Sequence, residues 1–351
     1  MKIEELLNSL GEWLRSDGPM GEVVISSRVR LARNLSGYPF LSRATPQARA
    51  ELADLLHHGI EAAMRESAWT YIDMSHTGEL DRQLLVERHL ISRQHAEADG
   101  SRGVALSNHE TVSLMVNEED HLRMQSIRSG FRLDDVWAEI NRIDDLLEER
   151  FEFAYHARYG YLTACPTNVG TGLRVSVMVH LPGLKLTNEM ERVLRAARDL
   201  RLAVRGLFGE GTEATGDFFQ ISNQCTLGRS EDEIISEFKT QIIPRVIEYE
   251  LAARRALVRD RSLALDDKIW RSFGTLQNAR SIGSEETLAH LSHLRMGIHL
   301  GRFNGLDLHK LNELFLMTQP AHLQKLLGAK LSGEERSVAR AEFIRKRLSN
   351  N

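Results

Sequence analysis

The sequence predicts an α+β protein in which a mainly antiparallel sheet flanked by helices is followed by an all-helical C-terminal domain. Three observations predict it. Short runs that alternate polar and apolar residues recur from Val23 to Ser222, as antiparallel strands with one buried face require. Capped helical spacings interrupt those runs, and beyond about Leu257 only helical patterns remain. At 351 residues the chain is long enough for one large core and a smaller domain. The division expected is an N-terminal helix over 1–20, a main domain over 21–256 and a helical C-terminal domain over 257–351.

Taken in order, Ile3, Leu6, Leu7, Leu10 and Trp13 are spaced for one face of a helix, which the Gly/Pro break from Gly18 to Gly21 ends. Strands are then predicted over 23–25, 71–74, 84–91, 103–106, 112–116 and 121–127. Between them, Thr45 followed by Pro46 is an N-cap and first-turn pair that opens a helix to about Met64. Residues 133–149 have helical spacing with an acidic start, and further strands are expected over 151–155, 174–180 and 218–222. Ser230 and Glu233 form a capping box opening a long helix through Leu251. The remainder reads as four or five helices, one begun by a second capping box at Ser332 and Glu335.

Composition narrows the function. No apolar run approaches the about 18 residues of a membrane span, and Met1 to Trp13 lacks the basic and apolar regions of a signal peptide, so a cytoplasmic protein is expected. Cys165 and Cys225 are too few for a disulfide framework and have no metal-site spacing; they read as reduced thiols. The formal charge of -4 argues against a general nucleic-acid surface. Only eight of the 45 basic residues are lysines, and none lies between Lys2 and Lys185. There is no GxxxxGK[ST] string, and the lysine gap removes a protein-kinase-type strand lysine, so any phosphate held by this stretch is held by arginine.

Those arginines stand in unusual strings. Arg28 and Arg30 are two apart in Ser26-Ser27-Arg28-Val29-Arg30, which puts both guanidinium groups on one face of a strand. Arg123 follows the acidic cluster Asn117-Glu118-Glu119-Asp120-His121, Arg174 follows Gly170-Thr171-Gly172, and Arg205 opens Arg205-Gly206-Leu207-Phe208-Gly209-Glu210. Taken singly, each reads as a surface arginine and the acidic run as a solvated turn.

The strings together carry a resemblance. Cys165-Pro166-Thr167-Asn168-Val169-Gly170-Thr171-Gly172 and Asn117-Glu118-Glu119-Asp120-His121 resemble the two signatures of the ATP:guanido phosphotransferases, the family of creatine and arginine kinases. Gly209 to Gly216 and Ile221-Ser222-Asn223 resemble the stretch that closes over the substrate in arginine kinases. The likeness runs from about Ser26 to about Leu251. About 25 residues precede Arg28, where the small-guanidine kinases carry an N-terminal helical domain of about a hundred, and a helical tail follows; both features resemble the protein arginine kinases of bacteria.

The resemblance implies a guanido-kinase-type catalytic domain that moves the γ-phosphoryl group of ATP to arginine side chains of proteins. It places Ser27, Arg28, Arg30, His89, Arg123, Arg174 and Arg205 on ATP, with Mg²⁺ held on the phosphates and no direct protein ligand to the metal. Arginine suits this task, since its planar, permanently charged fork matches phosphate oxygens two at a time. The acceptor guanidinium is cationic and a poor nucleophile, and needs carboxylates to orient it and to take its proton. Glu119 and Glu210 match the family's two gripping glutamates, with Glu119 favoured as base and Glu118 and Asp120 as its support or as residues ordering magnesium-bound water. Cys165 matches the cysteine beside the reactive nitrogen, where Thr167 and a nearby positive charge would favour thiolate. Cys225 suits a buried small hydrophobe instead.

In the tail, Arg336 and Arg340 lie one helical turn apart in Arg336-Ser337-Val338-Ala339-Arg340-Ala341, which resembles a phosphoarginine-binding string with Ser337 in place of aspartate. Weakened or absent activation by phosphoarginine is expected. The partners implied are protein substrates with accessible arginines, a stress-gene repressor among them, a zinc-binding activator protein and a Clp-type AAA+ protease; a homodimer is expected, with no membrane and no direct nucleic-acid contact. Two alternatives stay open: a phosphagen kinase acting on free arginine or another small guanidine, and an inactive adaptor that binds arginine-rich or phosphoarginine-bearing partners.

Overall fold

The computed structural model describes residues 3–65, 68–207 and 215–349. Two 3-10 turns, Ile3–Asn8 and Glu12–Leu14, take the place of the single N-terminal helix that the apolar spacing predicted. They bury Leu6, Trp13 and Leu14. The chain then forms β1 (Val24–Arg33), α1 (Pro46–Ala63), β2 (Trp69–Asp73), α2 (Glu79–Glu87), α3 (Arg93–Glu97), β3 (Gly103–Ser107), β4 (Val112–Val116) and β5 (Leu122–Ser129). There follow α4 (Leu133–Glu148), the short hairpin β6 (Tyr155–His156) and β7 (Gly160–Tyr161), β8 (Leu173–His180), α5 (Pro182–Leu186), α6 (Met190–Asp199), β9 (Leu202–Gly206) and β10 (Phe218–Asn223). Helices complete the chain: α7 (Glu231–Glu237), a π-helical turn at Phe238–Ile242, α8 (Ile243–Asp260), α9 (Ser262–Asn278), α10 (Ser284–His299), α11 (Leu308–Met317), α12 (Pro320–Leu327) and α13 (Gly333–Ser349).

Among the described residues eight strands make one sheet in the order β2-β3-β4-β5-β1-β8-β10-β9, every pair antiparallel. The sheet has two unlike faces because each strand alternates. Val29, Leu31, Leu114, Leu122, Val175, Val177 and Ile221 point to one face and pack against α1, α4 and α8 through Leu52, Leu56, Val136, Ile140, Ile247 and Ala253. The opposite face carries Arg28, Arg30, Arg123, Arg174, Ser176, Gln220 and Ser222 at its centre, as the register of β1 with β5 and β8 and of β10 with β8 requires. Apolar packing closes that second face on two sides. Val104, Leu106 and Met115 meet Leu84, Leu85, Leu90 and Ile91 from α2 and the turn after it. Ile127, Met178 and Phe218 meet Trp13 and the tail residues Leu288, Leu314 and Phe315. The arginine-lined centre is the opening between those two covers.

Several expectations need correction. The run 84–91 is not a strand: Leu84, Leu85, Val86 and Glu87 are consecutive buried residues at the end of α2, so this stretch shows no helical period, and His89 sits in the following turn at φ 59°. Residues 151–155 form an irregular segment with one bridge, Leu35 to Phe153, before β6. Cys225 is exposed rather than buried. Both capping boxes are present, with Ser230 Oγ accepting from Glu233 N and Ser332 Oγ from Glu335 N. No helix among the described residues is long and apolar enough to cross a membrane.

Candidate active site

The central strand β1 supplies Arg28 and Arg30, flanked by β5 with Arg123 and β8 with Arg174. Arg30 stands directly opposite Arg174 in the ladder. Arg28 donates from Nε to Ser176 Oγ at 3.3 Å and from Nη2 to Gln220 Oε1 at 2.6 Å, while Arg174 Nη2 donates to Ser222 Oγ at 3.3 Å. Arg205, on β9, is in register with Gln220 and so continues the row. Four of these cations crowd one another. Burial first, then Arg123 and Arg174, push the Arg28 guanidinium down to about 10. Arg30 is held well below its usual range by burial and by Arg28, Arg123 and Arg174, and its buried Nε has no hydrogen-bond partner.

The β4–β5 turn adds the carboxylates. Asn117 takes a left-handed conformation, φ 57°, and its side chain donates to Arg49 O and Ser101 O, which anchors the turn. Glu118 folds back onto Arg123 at 2.6 Å and accepts from Ser92 Oγ at 2.5 Å and from Glu119 N at 2.8 Å. Burial works to raise the Glu118 carboxyl, but Arg123 and those hydrogen bonds outweigh it and hold it below its usual range. Burial likewise works to lower Arg123, and Glu118 overcomes it. The Glu119 carboxylate lies 4.0 Å from Arg123 and keeps 32% of its side-chain surface exposed.

Asp120 and His121 fix the turn to its neighbours. Asp120 Oδ1 accepts from Asn34 Nδ2 at 2.6 Å and from Ala164 N at 2.7 Å, so the loop carrying Cys165 hangs from the acidic turn. Burial pushes the Asp120 carboxyl up. His121 accepts from Leu35 N through Nδ1 and donates through Nε2 to Pro39 O. Cys165 Sγ lies 3.0 Å from Thr167 Oγ1. Asp120 thus serves as a clamp between the turn and the cysteine loop.

The remaining expected residues divide. Ser27 is fully buried, donates to Gly130 O and accepts from Arg132 N, and so braces the end of β5. His89 packs edge-on against Trp13, ring centroids 4.4 Å apart, and its carbonyl accepts from Gln125 Nε2. Burial and the charges of Arg28, Arg30 and Arg93 push its imidazole down to about 3, so it is neutral at working pH. Glu210 and the stretch Phe208 to Ala214 lie outside the described residues. In the tail, Arg340 turns inward and donates to Thr318 O and Ile282 O, while Arg336 Nη1 donates to Leu331 O. Sequence reasoning missed Trp13, Ser92, Ser176 and Gln220. The alternation of β8 and β10 signals Ser176 and Gln220, because both stand at positions that share a face with Arg174.

The arrangement suits a polyanion. Arg28 and Arg30, both lowered by burial and by Arg123 and Arg174, and Arg30 with an unpaired Nε donor, gain most when phosphate oxygens arrive. A partly exposed carboxylate beside Arg123 suits a cation. No group of three or more metal-ligating side chains occurs among the described residues.

Comparison with known proteins agrees with this chemistry. Residues 51–253 match the ATP:guanido phosphotransferase C-terminal catalytic domain, and residues 262–351 match the protein-arginine kinase McsB C-terminal domain. The chain is 44% identical over 352 residues to the protein-arginine kinase of Halothermothrix orenii, covering 99% of this chain and 100% of that one. It is 46% identical to the protein-arginine kinase of Symbiobacterium thermophilum, covering 96% of each. Among solved structures, a lombricine kinase superposes with a TM-score of 0.59 at 27% identity over 69% of this chain and 70% of that one. The duplicated taurocyamine kinase of Schistosoma mansoni, with bound transition-state-analogue components, superposes with a TM-score of 0.62 at 28% identity over 70% of this chain and 35% of that one.

Proposed function

Since the chain belongs to the ATP:guanido phosphotransferase family, which its match over more than half its length and its full-length relatives establish, we propose that it transfers the γ-phosphoryl group of ATP to arginine side chains of proteins. The observation that carries this reading is the row of arginines on one sheet face with the partly exposed Glu119 carboxylate 4.0 Å from Arg123. Phosphoryl transfer asks a protein chiefly to hold donor and acceptor in line and to neutralise the moving charge. Arg28, Arg30, Arg123, Arg174 and Arg205 would hold the phosphate chain, with Mg²⁺ bound to its oxygens. Glu119 would hold the acceptor guanidinium and take the proton from the nitrogen that forms the new N–P bond, as ADP departs. Glu118 keeps Arg123 aligned, and Asp120 keeps Cys165 beside the acceptor. Glu210, which lies outside the described residues, would be the second carboxylate.

The choice of a polypeptide acceptor rests on the relatives' activity and on the tail match. On the same reading the modified proteins, a stress-gene repressor among them, pass to a Clp-type protease during stress, a zinc-binding protein activates the enzyme, and the chain works as a homodimer in the cytoplasm. The division at about residue 257 separates catalysis from a tail in which Arg336 and Arg340 bind phosphoarginine weakly, because Ser337 supplies no carboxylate. Incubation with Mg-ATP and either free arginine or an unfolded protein, followed by mass spectrometry of acid-labile phosphate, tests the reading. Phosphoarginine within the protein is the expected product; transfer to free arginine alone, or no transfer, rejects it.

A further inference from the structure

The hairpin of β6 and β7 stands beside the loop that carries Cys165 and has no part in the phosphate site. Its outer surface is aromatic: Tyr155 is 62% exposed and Tyr159 42% exposed. Large exposed rings of this kind are rare on a surface that meets only water and common where a partner docks. The hairpin is also held firmly. Tyr161 pairs with Gly170 of the Cys165 loop, and the Arg33 guanidinium lies 3.6 Å from the Tyr161 ring centroid. Arg33 is itself buried and locked to Asp144 at 2.5 Å and to Thr171 O at 2.9 Å. A rigid aromatic ledge costs little ordering entropy when a chain settles on it.

Charge says what settles there. The end of α4 and the chain entering the hairpin present Glu148, Glu149 and Glu152, all exposed, against Arg150 and Arg158. Arg158 lies over the Tyr159 ring, 5.4 Å from its centroid, and His156 stacks on that ring at 4.8 Å, which leaves Tyr155 as the ring offered to a partner. Glu148 accepts from the Tyr161 hydroxyl at 3.3 Å, which brings this acidic rim against the hairpin. Aromatic faces beside carboxylates attract guanidinium and ammonium groups through both the ring quadrupole and simple Coulomb attraction.

We infer that the Tyr155–Tyr161 hairpin and its Glu148–Glu152 rim form a docking ledge for the polypeptide on either side of the target arginine, selecting basic, unfolded segments. The inference rests on the arginine-kinase reading given above. It adds a specificity: lysine or arginine flanks favour modification, acidic flanks oppose it, and the recognition lies in KM rather than in the transfer step.

The test uses the full-length chain, Mg-ATP, and two synthetic peptides that each contain one arginine, flanked by lysines in one and by glutamates in the other. The double variant Tyr155→Ala/Tyr159→Ala should raise KM for the lysine-flanked peptide roughly two- to fivefold, the worth of one exposed cation–π contact. Its kcat and ATP affinity should stay those of the parent, and Tyr155→Phe/Tyr159→Phe, which keeps the rings, should restore KM. Replacing Glu148, Glu149 and Glu152 by glutamine should remove most of the preference for lysine flanks, with the effect greatest at low salt. An unchanged KM in the alanine pair, or a fall in kcat with KM kept, overturns the inference while leaving the kinase reading in place. Failure of the parent chain to phosphorylate either peptide, with ATP still bound, overturns the acceptor assignment and the ledge with it.

Discussion

Arg30 shows how a single residue serves function at the expense of stability. Its guanidinium is surrounded by Arg28, Arg123 and Arg174, and its buried Nε lacks a partner. Like charges held together in a half-buried site raise the energy of the ligand-free protein. Arg30→Met should therefore raise the melting temperature without nucleotide and yet weaken ATP binding by about tenfold or more, the usual worth of a charge-assisted hydrogen bond. Thermal melts and nucleotide titration on the same variant check both halves. Glu119 makes the complementary case. Glu119→Gln keeps the shape but cannot take a proton, so transfer should fall by about a hundredfold or more, the usual scale of general base catalysis. ATP affinity should hold, since the substitution leaves every arginine of the row in place; a variant with near-parental turnover would remove Glu119 from its assigned role. Neither neighbour is equivalent. Glu118 is committed to Arg123 and Asp120 to Asn34 and Ala164, a division of labour that the string of three acids does not reveal.

At the scale of elements, what the chain discloses depends on whether one face of an element meets water. β3 and β4 were legible as short apolar runs bounded by turn residues, β8 by its partial alternation, and α1 and α4 because each leaves one side polar. α2 was not, since consecutive residues from Leu84 to Glu87 are buried, and β9 escaped notice as five residues behind an arginine-rich helix. The pairing of Arg28 with Arg30 was readable from their spacing, whereas the meeting of Arg28 with Gln220 depends on strand order, which local pattern does not encode. Caps were the most direct signal. Ser230 and Glu233 bond reciprocally at the start of α7, which runs on through a π-turn into α8. Ser230→Ala should cost about 1 kcal/mol, the usual value of an N-cap hydroxyl; chemical denaturation that shows no loss would mean the cap is redundant with its surroundings.

The whole molecule carries an unusual number of buried, uncharged imidazoles. Burial pushes His89 and His299 down to about 3 and His95 and His293 down to about 4, and it lowers His121, His180 and His322 as well. His89, His95, His293 and His299 bind a proton in the unfolded chain near pH 6.5 but not in the folded one, so stability is intact above that value and is lost as pH falls toward 4 and 3. The loss approaches roughly 1.4 kcal/mol per histidine for each pH unit below 6.5. Melting temperatures should thus drop steeply between pH 6.5 and 5.5, and a flat profile there would contradict the burial. One of these histidines also joins the two ends of the chain. His322 donates through Nδ1 to Glu87, whose carboxylate accepts from Ala321 N and His322 N at the start of α12; Arg88 donates toward His322 Nε2 and grips Glu110. The next residue is His89, at the edge of the arginine row. An expression clone ended near residue 257 would strand Glu87 without its partners and lay bare Ile127, Met178 and Phe218. Anyone trimming the gene to a minimal kinase should expect inclusion bodies, because the tail supplies the apolar cover of one side of the arginine-bearing sheet face.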